Sequence, residues 1–314
     1  MGKGCGHLRR FVLCLAWGLA AVPAFGAMCQ VQDAIAAGGR IWALCGRERI
    51  YSTADAGQSW QSVDLPPDVL YRALAFPDER RGFIVGDAGT LLVTEDGGKT
   101  WSRRELPTKE NLMDISVVKD RAWIVGQNGT VLHSPDGGKS WVQQKTGIPQ
   151  GLASVHFVDE NNGWAVGWMG VVLRTRDAGK TWEPVKIADA SWSLSFVYFQ
   201  DAKTGWITGM FGQMLFTQDG GENWRVVNVP TKGTITSVYR ASDGRLLATT
   251  GNDLLVSKDG GGKWESLDIN QWLFFKRIVP AGTSLWAVGT FHILSLDPAK
   301  NQWVRLANTP SSQT

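Results

Sequence analysis

The chain has 314 residues, of which 43% are hydrophobic and 19% charged, with 37 glycines, 16 tryptophans and 4 cysteines. That apolar share is enough for a packed core and too high for a disordered chain. Lys and Arg number 32 against 29 Asp and Glu, a net charge of +3, and so even a balance gives no global field to gather nucleic acid.

Residues 1–10 carry Lys3, Arg9 and Arg10 and no acid, and residues 11–21 form an apolar run too short to span a bilayer. Small residues follow at Ala24 and Gly26, so 1–26 reads as a secretion signal, 27–308 as the folded body and 309–314 as a tail. Cleavage removes the three cations and leaves a neutral domain, with no membrane insertion expected afterwards. Cys5 and Cys14 leave with the signal, while Cys29 and Cys45 remain. In an oxidising compartment these two are candidates for a disulfide in the first unit, although the hairpin register sets them about three residues out of line.

From Thr53 onward one phrase recurs: TADAGQSW at 53–60, TEDGGKTW at 94–101, SPDGGKSW at 134–141, TRDAGKTW at 175–182, TQDGGENW at 217–224, SKDGGGKW at 257–264 and a degenerate SLDPAKNQW at 295–303. The copies start 38 to 42 positions apart, the period of one repeated supersecondary unit. Residues 71–106 display a whole unit: four short apolar runs separated by Gly, Asn, Asp and Pro, which are strands joined by hairpins. A single four-stranded sheet cannot hide both faces. Seven stacked radially protect their edges, and seven units of about 41 residues fill the mature length, so the fold class predicted is an all-β, seven-bladed β-propeller. The first unit owns an inner strand near 30–36 and the last an outer one near 303–307, so no strand is expected to cross the seam.

Within the phrase, Asp55, Asp96, Asp136, Asp177, Asp219, Asp259 and Asp297 are read as structural acceptors for the backbone of a tight loop, all but Asp297 followed by a pair that contains glycine. One carboxylate per loop is too few oxygens for Ca²⁺. Seven tryptophans close the phrases, and Trp42, Trp123, Trp164, Trp206 and Trp286 fall on second strands, so tryptophan here is mainly packing between sheets.

The phrase resembles the Asp-box, or bacterial neuraminidase repeat. With the preceding Gly-Trp-x-Val-Gly of residues 163–167, the unit is similar to the photosystem II stability/assembly factor family. The resemblance implies a non-catalytic propeller that helps assemble a membrane complex by holding a newly made subunit. Relatives with the same repeat also include sialidases and other glycoside hydrolases, and a hydrolase or a carbohydrate-binding propeller is the alternative reading. Sialidase chemistry needs an arginine triad and a Tyr nucleophile, and the string nearest to the Phe/Tyr-Arg-Ile-Pro start of those enzymes, Lys276-Arg277-Ile278-Val279-Pro280, has an inserted Val and lies in the last unit. His7, His133, His156 and His292 are scattered, so neither a metal site nor any cofactor is expected.

Propeller geometry puts the turns between second and third strands on one face with the connections between units. Large apolar residues stand in those turns where polar ones are usual: Trp168 and Met169, Met210 and Phe211, and Phe291. The connections add Trp192, Trp272 and Phe274. These eight are the candidate partner-binding residues, since contiguous exposed Trp, Met and Phe mark interaction surfaces; the competing reading has them plugging the central channel. The sequence is thus read as a monomeric, secreted, non-enzymatic protein of the periplasm or thylakoid lumen, with a protein client from a membrane complex and no nucleic acid.

Overall fold

The computed structural model describes residues 30–46, 48–187, 192–267, 269, 274–281, 284–290, 292–297 and 302–306. They build seven four-stranded antiparallel sheets, each a meander whose strands pair in chain order. The sheets are the blades of a propeller, numbered here 1 to 7 and spanning 31–64, 71–104, 112–144, 152–184, 194–226, 235–266 and 275–305. Residues 1–26, expected to be a signal, and 309–314, expected to be a tail, lie outside the described residues.

Blade layering follows from composition. Second and third strands are apolar on both faces and fully buried, as in Gly82–Gly86 and Thr90–Thr94 of blade 2, because a blade packs against a neighbour on each side. Outer strands such as Ser102–Arg104 are polar and exposed, and their shortness protects the rim from edge pairing. Trp42, Trp123, Trp164, Trp206 and Trp286 are at most 5% exposed. Five of the seven interfaces repeat one contact: the glycine at the fifth place of a phrase lies on an aromatic ring of the blade before it, whereas Gly179 of blade 4 meets Gln144 of blade 3 and the last phrase has no glycine. A Cβ on Gly98 would meet Trp42 at 2.4 Å, on Gly138 Phe83 at 2.4 Å, and on Gly261 Trp206 at 2.7 Å.

The seam is built the same way. Among the described residues no strand crosses it, and Gly57 of blade 1 lies where a Cβ would meet Trp286 of blade 7 at 3.0 Å. Val31 N–H donates to the Thr290 carbonyl at 2.9 Å. Around these, Val31, Ala34, Ala43 and Tyr51 of blade 1 share a buried cluster with Val279, Trp286, Val288 and Ile293 of blade 7. Cys45, opposite Val31 in the inner hairpin, is disulfide-bonded; Cys29 lies outside the described residues. The inner hairpin carries a bulge between Val31 and Asp33, a feature that simple counting along the hairpin leaves out.

Every inner strand has that bulge. The register shifts at Gln32, Arg72, Met113, Ala153, Ser195, Thr236 and Lys276, each the second residue of its strand. A bulge re-aims side chains, and here seven of them surround the axis at the end of the channel where the inner strands begin.

Candidate functional site

The phrase loops are closed by their own side chains. In blade 2, Thr94 Oγ1 donates to Asp96 Oδ1 at 2.7 Å and accepts Gly98 N–H at 2.9 Å, while Thr100 gives Asp96 both its N–H at 3.0 Å and its hydroxyl at 2.6 Å. Asp55, Asp136, Asp177, Asp219 and Asp259 accept equivalent bonds. Hydrogen bonds from Ser59 hold the Asp55 carboxyl down at about 2. With their oxygens so engaged, these carboxylates serve loop geometry. The side chain of Asp297 lies outside the described residues.

On the opposite face, turns between second and third strands sit with the inter-blade connections. Asp87 N–H donates to the Leu70 carbonyl at 3.0 Å, Trp168 to Gly151 at 3.0 Å and Met210 to Ser193 at 3.2 Å. In four blades the two central residues of this turn both have positive φ: Ala88 and Gly89, Asn128 and Gly129, Met169 and Gly170, Phe211 and Gly212. Such primed turns suit the twist of a hairpin, and Asn or Gly normally fills them. Met169 at φ 59° and Phe211 at φ 56° are bulky side chains in a conformation that disfavours them.

Their strain presents them to solvent. Met169 is 73% and Phe211 59% exposed, and Trp168, Trp192 and Met210 are exposed as well. The Trp192 and Phe211 rings meet edge-on at 4.9 Å, and the Trp168–Gly170 turn touches the inner strand Leu194–Phe199 of the next blade. All five of these residues of blades 4 and 5 reach solvent, with Trp192 and Phe211 in direct contact. Phe274, also exposed, stands on the same face at the start of blade 7. Trp272 and Phe291 lie outside the described residues.

The channel opens as a cavity of about 120 Å³ whose lining includes Asp33, Arg72, Asp114, Phe196, Lys276 and Arg277. Sequence reading missed this group, because equivalent positions carry different residue types. A polar residue in second or third place on each inner strand was the available signal. The group links blades in turn. Asp33 accepts Leu74 N–H of blade 2 at 3.2 Å and pairs with Arg277 of blade 7 at 2.8 Å; Asp114 accepts Val155 N–H at 3.0 Å and the Ser154 hydroxyl at 2.8 Å from blade 4. Ser195 donates to the Ile235 carbonyl at 2.6 Å and Thr236 to Phe275 at 3.0 Å. Burial pushes the Asp33 carboxyl up to about 6 against the pull of Arg277, and raises Asp114. Burial, with Arg277 adding to it, lowers the His156 imidazole to about 4.

Two wider clefts, of about 590 and 440 Å³, open on the phrase-loop face. Arg80 and Arg81 border the first, where Arg81 pairs with Asp78 at 2.6 Å and Asp120 at 2.7 Å. Among the described residues no three His, Cys, Asp or Glu side chains gather as metal ligands, and no helix is long and apolar enough to cross a membrane.

Comparison with known proteins supplies a family. A family model described as photosynthesis system II assembly factor YCF48 matches residues 52–149 and 141–235. A chloroplastic photosystem II stability/assembly factor HCF136 of Arabidopsis thaliana is 49% identical over 55 residues, 16% of this chain and 14% of that protein. The photosystem II assembly lipoprotein Ycf48 of Prochlorococcus marinus is 40% identical over 65 residues, 19% of each. The chain thus aligns with less than a fifth of the length of either curated relative. Among solved structures, YCF48 bound to D1 peptide superposes with TM-score 0.68 at 22% identity, over 81% of this chain and 87% of that one. A streptogramin B lyase gives 0.74 at 13% identity over 85% and 92%, and an ancestral GH74 enzyme 0.73 at 15% over 89% and 46%. At such identities the likeness is one of fold.

Proposed function

Because the chain belongs to the photosynthesis system II assembly factor YCF48 family, we propose that it is an assembly or stability factor for a membrane-associated protein complex, gripping an incompletely assembled subunit without catalysis. The observation that carries this reading is the pair of strained tips. Met169 and Phe211 occupy left-handed positions where Asn128 sits in blade 3, and nothing in the folding of the hairpin calls for a large apolar side chain there. Strain kept at an exposed position is a mark of function.

In this reading the rigid ring offers the tips of blades 4 and 5 to an apolar client segment and shields it until the next subunit arrives. Kinship with a YCF48 that binds a D1 peptide supports a protein client. The two carboxylates lining the channel cavity, Asp33 and Asp114, accept three contacts each from N–H, O–H or guanidinium groups, an arrangement that favours support of the ring over acid–base work. The protein acts as a secreted monomer, in the periplasm or, in a photosynthetic host, the thylakoid lumen.

Affinity capture from an envelope extract tests this, with a Met169→Asn/Phe211→Asn variant as control. Recovery of a membrane-complex subunit by the parent and its loss by the variant is the expected result. Equal recovery by both, or recovery of no such subunit, would refute the reading.

A further inference from the structure

We propose that the channel mouth is a carboxylate-binding site formed by Arg72, Lys276 and Arg277. The bulges set Arg72 and Lys276 at the lip of the axial cavity, one residue before Ala73 and Arg277. Among the described residues each arginine pairs with a carboxylate through Nε alone: Arg72 with Asp87 at 2.6 Å and Arg277 with Asp33 at 2.8 Å. Those pairs fix the planes of the two guanidinium groups and leave their Nη donors for another acceptor. The Arg277 guanidinium also lies 5.6 Å from the centre of the Phe196 ring, which restricts it further. Lys276 has no ion-pair partner among the described residues.

The acids of the mouth do not cancel this. Asp33 and Asp114 are at most 9% exposed, and their oxygens accept Ala34, Leu74, Ile115 and Val155 N–H groups and the Ser154 hydroxyl. They are turned into the wall. What lines the lip is a set of donors: two forks and an ammonium, around a space of about 120 Å³ that suits a planar carboxylate on a narrow stem. A fork that presents paired N–H groups matches a carboxylate, and fixing both forks in advance lowers the ordering cost of binding.

A free small acid and the carboxylate of a docked peptide share this chemistry. Titration calorimetry on the full-length protein separates them, with acetate as one probe and the tripeptide acetyl-Ala-Leu-Ala as another, the latter as free acid and as C-terminal amide. Acetate binding assigns the site to free acids; binding of the tripeptide acid, without acetate or amide, assigns it to chain carboxylates. Either supports the site, provided Lys276→Gln weakens it about tenfold or more, the effect of losing one charge-assisted bond. Lys276→Arg restores affinity. Since Lys276 has no ion-pair partner among the described residues, its replacement leaves the melting temperature unchanged, and Arg72→Gln gives a second reading at the other edge. No binding of either carboxylate, binding of inorganic phosphate in their place, or affinity unaltered in both variants overturns the proposal. The site stands apart from client capture, because Met169→Asn/Phe211→Asn leaves carboxylate binding intact.

Discussion

Arg277 of the last blade pairs with Asp33 of the first at 2.8 Å, so the two ends of the propeller are joined at the axis by an ion pair in place of a shared strand. Asp33 is 4% exposed, and its ionised form depends on this partner. Arg277→Ala leaves a buried charge without its cation, at a cost of about 2–3 kcal/mol near neutral pH, discounted for the part of Arg277 that reaches solvent. The loss shrinks toward about pH 5, where Asp33 takes up a proton instead. Urea unfolding at both pH values measures the difference, and equal losses would contradict it.

The axis carries two opposed titrations. Asp33, raised to about 6, holds its proton longer in the folded state, so its stabilising contribution is complete at low pH and is lost as pH rises through about 6. His156, lowered to about 4, gives its proton up early, so its contribution is absent at low pH and grows as pH climbs from about 4 to the ordinary imidazole range. The two slopes offset one another. His156→Asn retains an acceptor for Phe199 N–H, now bonded to Nδ1 at 3.2 Å, and removes one slope. That variant loses stability as pH rises from about 4 to 6 while the parent stays nearly level. Parallel profiles of urea midpoint against pH would sink this account. Below about pH 4 both proteins weaken, because hydrogen bonds hold Asp55, Asp136 and Asp219 down at about 2.

Relief of strain separates a binding tip from a core residue. Met169→Asn and Phe211→Asn place the residue found at Asn128 into two left-handed positions, and each should raise stability by about 0.5–1 kcal/mol or leave it level. A melting temperature several degrees lower in either variant would show that the side chain is needed by the fold.

Two glycines of similar φ distinguish crowding from conformation. Gly98 (φ +78°) and Gly39 (φ +69°) are equally unfavourable for alanine by backbone, but a Cβ on Gly98 meets Trp42 at 2.4 Å whereas none of the neighbours of Gly39 lies within 4 Å. Gly39→Ala costs about 1 kcal/mol. Gly98→Ala, which must also displace a buried ring, costs about 3 kcal/mol or more. Equal costs from denaturant titration would mean that the blade interface yields freely.

For the bonded Cys45, the partner we propose is Cys29. Mass spectrometry of a non-reduced digest should join the two peptides, and reduction should lower the melting temperature. A link from Cys45 to Cys5 or Cys14 would rule out both the pairing and early removal of the signal.

The blades were legible because one phrase recurs with its residue types intact: the hydroxyl, the carboxylate and the glycine each answer a fixed backbone need. The exposure of Trp168, Met169, Met210 and Phe211 was legible because they break turn chemistry at known positions. The channel mouth was not. Its third-place residues are Asp33, Ala73, Asp114, Ser154, Phe196, Ser237 and Arg277, equivalent in space but unlike in chemistry, and only the bulges bring them level. Closure of the seam was hidden for a related reason, since Gly57 and Trp286 obey the same packing rule as their counterparts yet stand at opposite ends of the chain.

That rule gives the ring a direction. Where a phrase glycine covers a ring of the preceding blade, as Gly98 covers Trp42, the new module finishes its predecessor as the chain emerges, whereas Trp286 must wait for a loop made at the outset. Because this last junction is chemically like four of the others, cutting the chain between two blades and splicing the old ends should yield the same wheel.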